Sequence, residues 1–265
     1  MQNPFFSIIV VSFNAKDTIK RTVESVLSQD FDDYEIIVKD AASTDGTVDQ
    51  IPTSDKLRVY VNADSGIYYG MNEAISYATG KYILFLNCGD YFASDDVLSK
   101  IYQAAKDKDE SKTVIYGDYS RNGVHFKQPS KITPFYLYRT PLCHQAVFFG
   151  KGVFEKFEKY DTAYRILADY DITLKSFFGS FDYVYVPVTV SDYMGGGVSE
   201  NEKMKALKKD EYAVIQSKAF SAKDRRRFKR KLFFSFRGLR QKLISDKSPK
   251  WVRKLYRMLV NRVNK

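Results

Sequence analysis

A regular alternation of apolar strands and amphipathic helices in the first 120 residues is the feature that most constrains the fold. The run "FSIIVVSF" (6–13) is continuous, apolar and β-branched, which is typical of a strand buried on both faces. Ile19, Val23 and Val26 then recur at helical spacing. Further strands are predicted at 34–39, 57–61, 82–86 and 113–119, and helices at 47–51, 67–78 and 95–106. Because strands separated by helices pair in parallel, we predict an α/β fold with a doubly wound, Rossmann-like, mostly parallel sheet.

The second half of the chain departs from this alternation from about residue 122. It is richer in aromatic residues and loops, with one further helix predicted at 168–178 and one strand at 183–190. The glycines at 195–197 predict a loop over a site. If the first half forms one wall of a cleft, we expect this half to form the other.

The charge of the chain is divided unevenly along its length. The net charge is +10, yet residues 221–265 hold 17 of the 42 Lys and Arg residues and only two acids, so residues 1–220 are net acidic. Hydrophobic residues make up 44% of the chain, which is enough for a substantial core. Two cysteines, Cys88 and Cys143, fit neither a disulfide framework nor a zinc spacing. We therefore expect a cytoplasmic protein without a membrane-spanning segment.

The basic tail is predicted to form amphipathic helices. Apolar residues recur among its Lys and Arg residues at helical spacing, namely Phe228, Leu232, Phe236, Leu239, Leu243, Val252, Leu255, Leu259 and Val263. Such helices are typical of elements that bind anionic membrane surfaces. Nucleic acid is a second partner for such charge, but the acidic body makes it less expected. A solvated helical pair packed on the core is a third interpretation.

Polar residues follow several of the predicted strands. In doubly wound sheets, ligands bind beyond the carboxyl ends of the strands. The sequence places the following side chains there: Ser12, Asn14, Asp40, Asp64, Asn87 and Asp90. A dinucleotide-binding site is excluded, because the turn "SFNAKDT" after the first strand lacks the glycine that lets a diphosphate approach.

Several motifs together resemble one family of enzymes. They are "SIIVVSFNAKDTIKRTVESVLSQ", "DAASTDGT", "DSGIYYGMNEAISYATGKYILFLNCGD", "CHQAVFF" and "LADYDITLK". In this order they resemble the family 2 glycosyltransferases of the GT-A fold, in particular the bacterial branch that builds exopolysaccharides, capsules and O-antigens. The resemblance implies a GT-A domain at 1–220, with a nucleotide-sugar-binding half at about 1–120 and an acceptor half at about 121–220, followed by the basic helical tail at 221–265.

The resemblance implies a nucleotide-sugar site at the strand ends. Asp40 and Asp64 match the family's nucleotide-binding acids, and a carboxylate accepts hydrogen bonds from a uracil N–H or a ribose hydroxyl. Ser12 and Asn14 match the polar end of the first strand, beside the nucleotide. The predicted site also includes Ser65, Gly66, Asn72 and Asn87. Ser65 is more typical of a turn than of a binding site, and Asn72 is equally typical of a solvent-facing helical position.

The segment "NCGD" (87–90) stands where the family commonly has an Asp-x-Asp motif that binds a divalent cation. Only the last acid, Asp90, remains. Mg²⁺ and Mn²⁺ accept neutral oxygen ligands as well as carboxylates, and such a cation offsets the charge of a departing diphosphate. The resemblance therefore implies Mg²⁺ or Mn²⁺ at Asp90. His144 and Gln145 are candidates for acceptor or diphosphate contacts, His144 also for a missing metal ligand, and a structural histidine is the alternative.

Asp169 matches the catalytic acid of the family's Glu-Asp motif, although Ala168 replaces the usual first acid. An inverting transfer needs a base that takes the proton from the acceptor hydroxyl. Asp171 points elsewhere if the segment is helical, so Asp169 is the preferred base. An acid in this position is also explained by the helix dipole.

These inferences predict a glycosyltransferase. It would move a sugar from a nucleoside diphosphate sugar, expected to be a UDP-sugar, to a saccharide acceptor, expected to be lipid-linked, by inverting single displacement in surface polysaccharide biosynthesis. It would lie peripherally at the inner face of the cell membrane. Two alternatives stay open: a non-catalytic sugar-nucleotide or glycan-binding module on the same fold, suggested by Asn87, Gly89 and Ala168, and a basic membrane or nucleic-acid adaptor.

Overall fold

The structure, a computed structural model, describes residues 3–195 and 204–235. These residues belong to two compact units. The main unit runs to Ile132 and continues from Pro141 to Glu211, and the C-terminal unit combines Thr133–Thr140 with the chain from Tyr212. The tail prediction beyond residue 235 and most of the predicted glycine loop lie outside the described residues.

One mixed sheet organises the main unit. Its strands are β1 (Phe6–Ser12), β2 (Tyr34–Asp40), β3 (Leu57–Val61), β4 (Tyr82–Phe85), β5 (Asp90–Phe92), β6 (Thr113–Arg121), β7 (Val124–Phe126), β8 (Val147–Gly150) and β9 (Asp182–Tyr193). The strand order is β3-β2-β1-β4-β8-β6-β9-β5, and β7 pairs with β6. The helices are α1 (Ile19–Leu27), α2 (Ile67–Tyr77), α3 (Val97–Ala105), α4 (Pro134–Arg139), α5 (Lys151–Phe157), α6 (Ala168–Phe178), α7 (Lys205–Ala219) and α8 (Ala222–Ser235).

The predicted α/β fold is confirmed, with one difference in how the sheet continues. Strands β1 to β4 pair in parallel, as expected for strands joined by helices. The prediction that β6 simply extends this series is wrong, because β8 lies between β4 and β6 and is antiparallel to both. The predicted helix at 47–51 is a single 3₁₀ turn at Val48–Gln50, too short to cross over the sheet by itself.

The first strand is buried on both of its faces. Every residue of β1 is buried, and its Phe6, Ile8 and Val10 pack with residues of α1 and α3 in one cluster. Because β1 pairs with β2 on one side and β4 on the other, the strand order reverses at β1. A crevice at the carboxyl ends of these strands is where such folds bind ligands.

The C-terminal unit has an aromatic core of its own. Phe228 of α8 is buried against Tyr138 of α4 and Phe220, with ring centroids 5.2 and 5.8 Å away. The prediction placed Phe228 on a membrane-facing stripe; in the structure its ring is used for packing within the unit, because three neighbouring aromatic rings offer it an apolar environment. Within the described residues, no helix combines the length and apolarity needed to cross a bilayer.

Candidate active site

Two loops at the carboxyl ends of β1 and β2 are joined through Asp40. This carboxylate is fully buried and accepts hydrogen bonds from the hydroxyls of Ser12 and Ser43, both at 2.7 Å, and from the backbone N–H of Ser43 at 2.7 Å. A buried carboxylate is tolerated only when donors surround it in this way. Asp40 and Ser12 therefore lie together beneath the surface of the crevice.

Asn14 joins the same two loops at their exposed rim. Its backbone is left-handed, with φ of 47°, a conformation that Asn adopts more readily than most residues. Its side-chain oxygen accepts the N–H of Thr44 at 3.1 Å, and its own N–H donates to Ser43 at 2.8 Å. The neighbouring Phe13 is 65% exposed, so an aromatic ring stands uncovered beside this polar rim.

Asp64 is held by a lysine that the sequence analysis missed. The ammonium of Lys39, a fully buried residue of β2, lies 3.2 Å from Asp64 Oδ2 and 3.4 Å from Glu73 Oε2. The other Asp64 oxygen accepts the N–H of Gly66 at 3.0 Å. A Cβ at Gly70 would meet Asp64 Oδ2 at 2.7 Å, so α2 needs glycine there for this carboxylate to fit.

The other predicted residues around α2 divide into two groups. Ser65 and Gly66 are exposed at the start of the helix, next to Asp64. Asn72 is engaged elsewhere: its amide donates to the carbonyl of Tyr160 at 2.8 Å, and its oxygen accepts the N–H of Tyr160 at 2.9 Å. Because both ends of the amide brace α2 against this segment, Asn72 is not part of the site proposed below.

The turn after β4 presents Asn87 and Asp90. Asp90 N–H donates to the Asn87 carbonyl at 2.9 Å, and Gly89 supplies the φ of 97° that the turn requires. The Asp90 carboxylate is 8% exposed and accepts one side-chain hydrogen bond, from Gln145 at 3.0 Å. Burial raises the pKa of Asp90 to about 6, despite that bond and the nearby charge of His144.

Asp169, at the first turn of α6, lies among three donors. Its oxygens are 3.2 Å from His144 Nδ1, 3.0 Å from the Tyr68 hydroxyl and 2.9 Å from the Tyr170 N–H. Burial alone would raise the pKa of Asp169, but these bonds and the histidine charge outweigh it and lower the pKa below its usual value. Burial also raises the pKa of Tyr68, which keeps this phenol protonated as a donor.

His144 connects the two carboxylate regions. Its Nε2 lies 3.4 Å from the Asn87 amide nitrogen, while its Nδ1 faces Asp169. Burial would lower the pKa of His144, but the Asp169 hydrogen bond and charge raise it above the ordinary value. The structure therefore brings Asn87, Asp90, His144, Gln145 and Asp169 into one chain of contacts. Asp171 is separate, because it pairs with Lys175 at 2.6 Å along the same helix.

The residues at the end of β4 offer oxygen ligands that a divalent cation could use. The side-chain oxygen of Asn87 is buried and has no hydrogen-bond partner among the described residues. No group of three or more His, Cys, Asp or Glu in residues 3–195 and 204–235 could hold a metal ion by itself. The donor set fits Mg²⁺ or Mn²⁺ that shares a substrate diphosphate, since such ions take one or two protein oxygens and complete their shell with phosphate and water.

Comparison with known proteins identifies the class of enzyme. The fold matches that of Staphylococcus aureus TarS 1–349 in complex with UDP-GlcNAc, with a TM-score of 0.65 and 18% identity over 98% of this chain and 83% of that one. The family model described as glycosyl transferase family 2 matches residues 7–162. The chain therefore belongs to glycosyltransferase family 2, and the resemblance found in its motifs is confirmed.

Two curated relatives of the chain are also glycosyltransferases. A PGL/p-HBAD biosynthesis glycosyltransferase of Mycobacterium bovis is 29% identical over 205 residues, which cover 74% of this chain and 80% of the relative. The Escherichia coli UDP-Glc:alpha-D-GlcNAc-diphosphoundecaprenol beta-1,3-glucosyltransferase WfaP is 36% identical over 132 residues, 48% of this chain and 52% of the relative. Family membership identifies the chain as an enzyme, which disfavours both alternatives, the non-catalytic binding module and the basic membrane or nucleic-acid adaptor.

Proposed function

We propose that this enzyme transfers a sugar from a UDP-sugar to a lipid-linked saccharide by inverting single displacement, with Asp169 as the base. The observation that carries the proposal is the chain of contacts from Asp90 through Asn87 and His144 to Asp169. It joins the strand end suited to a diphosphate with a carboxylate that is ionised near neutral pH. One crevice would thus hold both the diphosphate of the donor and the base that acts on the acceptor.

The donor nucleotide is proposed to lie on the loops joined through Asp40. Phe13 offers an exposed ring on which a base can stack, and stacking of this kind contributes about 1 to 3 kcal/mol per base. Asn14, after β1, and Asp64, after β3, provide polar groups for the ribose and base edges. Support for UDP comes from the TarS complex with UDP-GlcNAc and the UDP-Glc named for WfaP.

The diphosphate is proposed to lie over the Asn87–Asp90 turn. Asp90 and the unpartnered Asn87 oxygen would hold Mg²⁺ or Mn²⁺ there, and such a cation neutralises charge on a departing nucleoside diphosphate. Gln145 orients the Asp90 carboxylate through its amide, and His144 orients Asn87. These residues bind and position the donor; they take no proton in the proposed reaction.

The acceptor is proposed to approach Asp169. The hydroxyl oxygen of the acceptor attacks the anomeric carbon of the donor sugar, and the bond from that carbon to the UDP oxygen breaks. The proton of the acceptor hydroxyl passes to the Asp169 carboxylate. Attack on the face opposite the leaving group inverts the anomeric centre. Tyr68 and His144 hold the carboxylate from two sides, which keeps it directed at one position. A lipid-linked acceptor is supported by the diphosphoundecaprenol named for WfaP.

Substitution of Asp169 tests the proposal directly. Asp169→Asn keeps the shape and removes the basicity, so we expect transfer to fall by about a hundredfold or more with UDP affinity unchanged. Asp171→Asn is the matched control, because this acid lies two residues away and pairs with Lys175. Release of UDP from a panel of UDP-sugars, with lipid-linked saccharides as acceptors, measures turnover. Normal turnover in the Asp169 variant, or a larger loss in the Asp171 variant, would contradict the assignment.

We also propose that the enzyme attaches to anionic membranes through its C-terminal helices. Helix α8 exposes Arg226, Arg227, Lys229 and Arg230, while Phe228 between them is buried. Each basic side chain near an anionic surface contributes about 1 kcal/mol. A basic exposed face next to a packed aromatic ring supports electrostatic attachment by this part of the tail.

Charge reversal in the full chain tests this attachment. Arg226→Glu with Arg227→Glu removes two attractive charges, so we expect binding to anionic phosphatidylglycerol vesicles to weaken by about thirtyfold or more. Lys106→Glu with Lys108→Glu makes the same change at exposed positions after α3 and serves as the control. Equal losses in both variants would assign the attraction to net charge rather than to α8.

A further inference from the structure

A buried carboxylate on α7 holds the backbone that leads into α6. Glu211 is 5% exposed, and its side chain accepts three consecutive backbone N–H groups. Arg165 donates to Oε1 at 2.7 Å, while Ile166 and Leu167 donate to Oε2 at 3.1 and 2.9 Å. Hydrogen bonds to an ionised acceptor are about twice as strong as neutral ones, so this is a firm attachment.

The attached segment is the one that carries Asp169. Leu167 precedes the first residue of α6, and its own apolar side chain does not cap this helix end. From the other side, the single proton of the Tyr68 hydroxyl is shared between two acceptors, the carbonyl of Ile166 at 2.8 Å and Asp169 at 3.0 Å. Glu211 thus fixes the backbone N–H groups of residues 165–167. Tyr68, which also contacts Asp169, binds the carbonyl of Ile166 in the same segment.

We infer that Glu211 is a positioning residue for Asp169, acting through the backbone of residues 165–167. The inference rests on the proposed function, since the position of Asp169 affects turnover only if Asp169 acts in the reaction. A carboxylate is needed because two acceptor oxygens serve three donors; a glutamine would place an NH₂ group against at least one backbone N–H. Small displacements of a catalytic group lower the rate steeply while leaving donor binding intact.

The test compares Glu211→Gln with Asp210→Asn, a control that removes a charge from the neighbouring, exposed position of α7. For Glu211→Gln we expect kcat to fall about tenfold to a hundredfold, with UDP affinity by calorimetry within about twofold of the wild type. Asp210→Asn should retain both values. Full kcat in Glu211→Gln, or a parallel loss of UDP affinity, would overturn the inference. Glu211→Asp, a milder variant, serves if the glutamine variant does not fold.

A second measurement separates positioning from general destabilisation. In an Asp169→Asn background the base is already absent, so Glu211→Gln should lower the residual rate less than about threefold. An equal fold-loss in both backgrounds would show a structural role and overturn the inference. Amide exchange at residues 165–167 should also accelerate in Glu211→Gln, and unchanged exchange contradicts the proposed attachment. If the wild-type enzyme transfers no sugar, the proposed function fails. If the wild type is active, Asp169→Asn is impaired and Glu211→Gln has normal kcat, the proposed function stands and only this inference fails.

Discussion

Replacing Lys39 by methionine is expected to destabilise the main unit strongly. The lysine side chain is completely buried, and its ammonium donates to the Asn62 carbonyl at 2.6 Å besides contacting Asp64 and Glu73. Methionine keeps most of the stem but leaves both carboxylates without their cation. Removing one partner of a buried ion pair costs about 3 to 5 kcal/mol.

The partial exposure of the two acids reduces this figure. Asp64 and Glu73 side chains are 13% and 30% exposed, so water can hydrate part of each stranded charge. We therefore expect Lys39→Met to lower the free energy of unfolding by about 2 to 4 kcal/mol. Lys100→Met is the matched control, because its pair with Asp96 is half-exposed and worth about 0.5 kcal/mol or less.

Urea unfolding followed by circular dichroism measures both variants, with the slope m checked for constancy. In an Asp64→Asn background, Lys39→Met should cost less, because one of the two stranded charges is gone. UDP affinity should fall as well, since Asp64 loses the contact that fixes it. A loss below about 1 kcal/mol for Lys39→Met, or a loss no greater than that of Lys100→Met, would refute the reasoning.

Two further predictions concern the donor site. Because a proton competes with a cation for the Asp90 carboxylate, whose pKa is about 6, Mn²⁺-dependent UDP binding should be constant above pH 6 and weaken about tenfold per unit below it; calorimetry that shows equal affinity at pH 5 and pH 7 contradicts this. Phe13→Ala should weaken UDP binding by about fivefold or more through lost stacking, whereas Phe178→Ala, at another exposed ring on α6, should not.

Local sequence patterns predicted the helices and strands that are determined by residues close together in the sequence. The apolar run of β1 and the spacing of α6 at 168–178 lie within short windows, and both elements form where expected. Strands β5 and β8 span only three and four residues, and their pairing partners are distant in sequence. No periodicity develops over so few residues, which is why the antiparallel insertion of β8 was not foreseen.

The residues of the candidate site also differ in whether local sequence could predict them. Strand-end residues such as Asp40 and Asp90 could be predicted because the topology of a parallel sheet directs attention to them. Lys39 was missed because a lysine within a strand is expected to face solvent, and only the fold brings Asp64 and Glu73 to it. Glu211 was missed for a related reason: more than 40 residues separate it from the backbone N–H groups that it binds.

The two acids of the crevice are tuned in opposite directions by their surroundings, and this separates their roles. Asp90 is buried with a single side-chain donor, so its pKa rises to about 6 and its charge is stabilised best by an added cation. Asp169 is somewhat more exposed, with 16% of its side chain accessible, and its hydrogen bonds with the nearby histidine charge lower its pKa and keep it ionised without a cation. Two carboxylates whose environments push their pKa values apart usually divide the chemistry between them. This contrast supports the proposal that Asp90 shares a cation with the diphosphate and that Asp169 takes the proton of the acceptor hydroxyl.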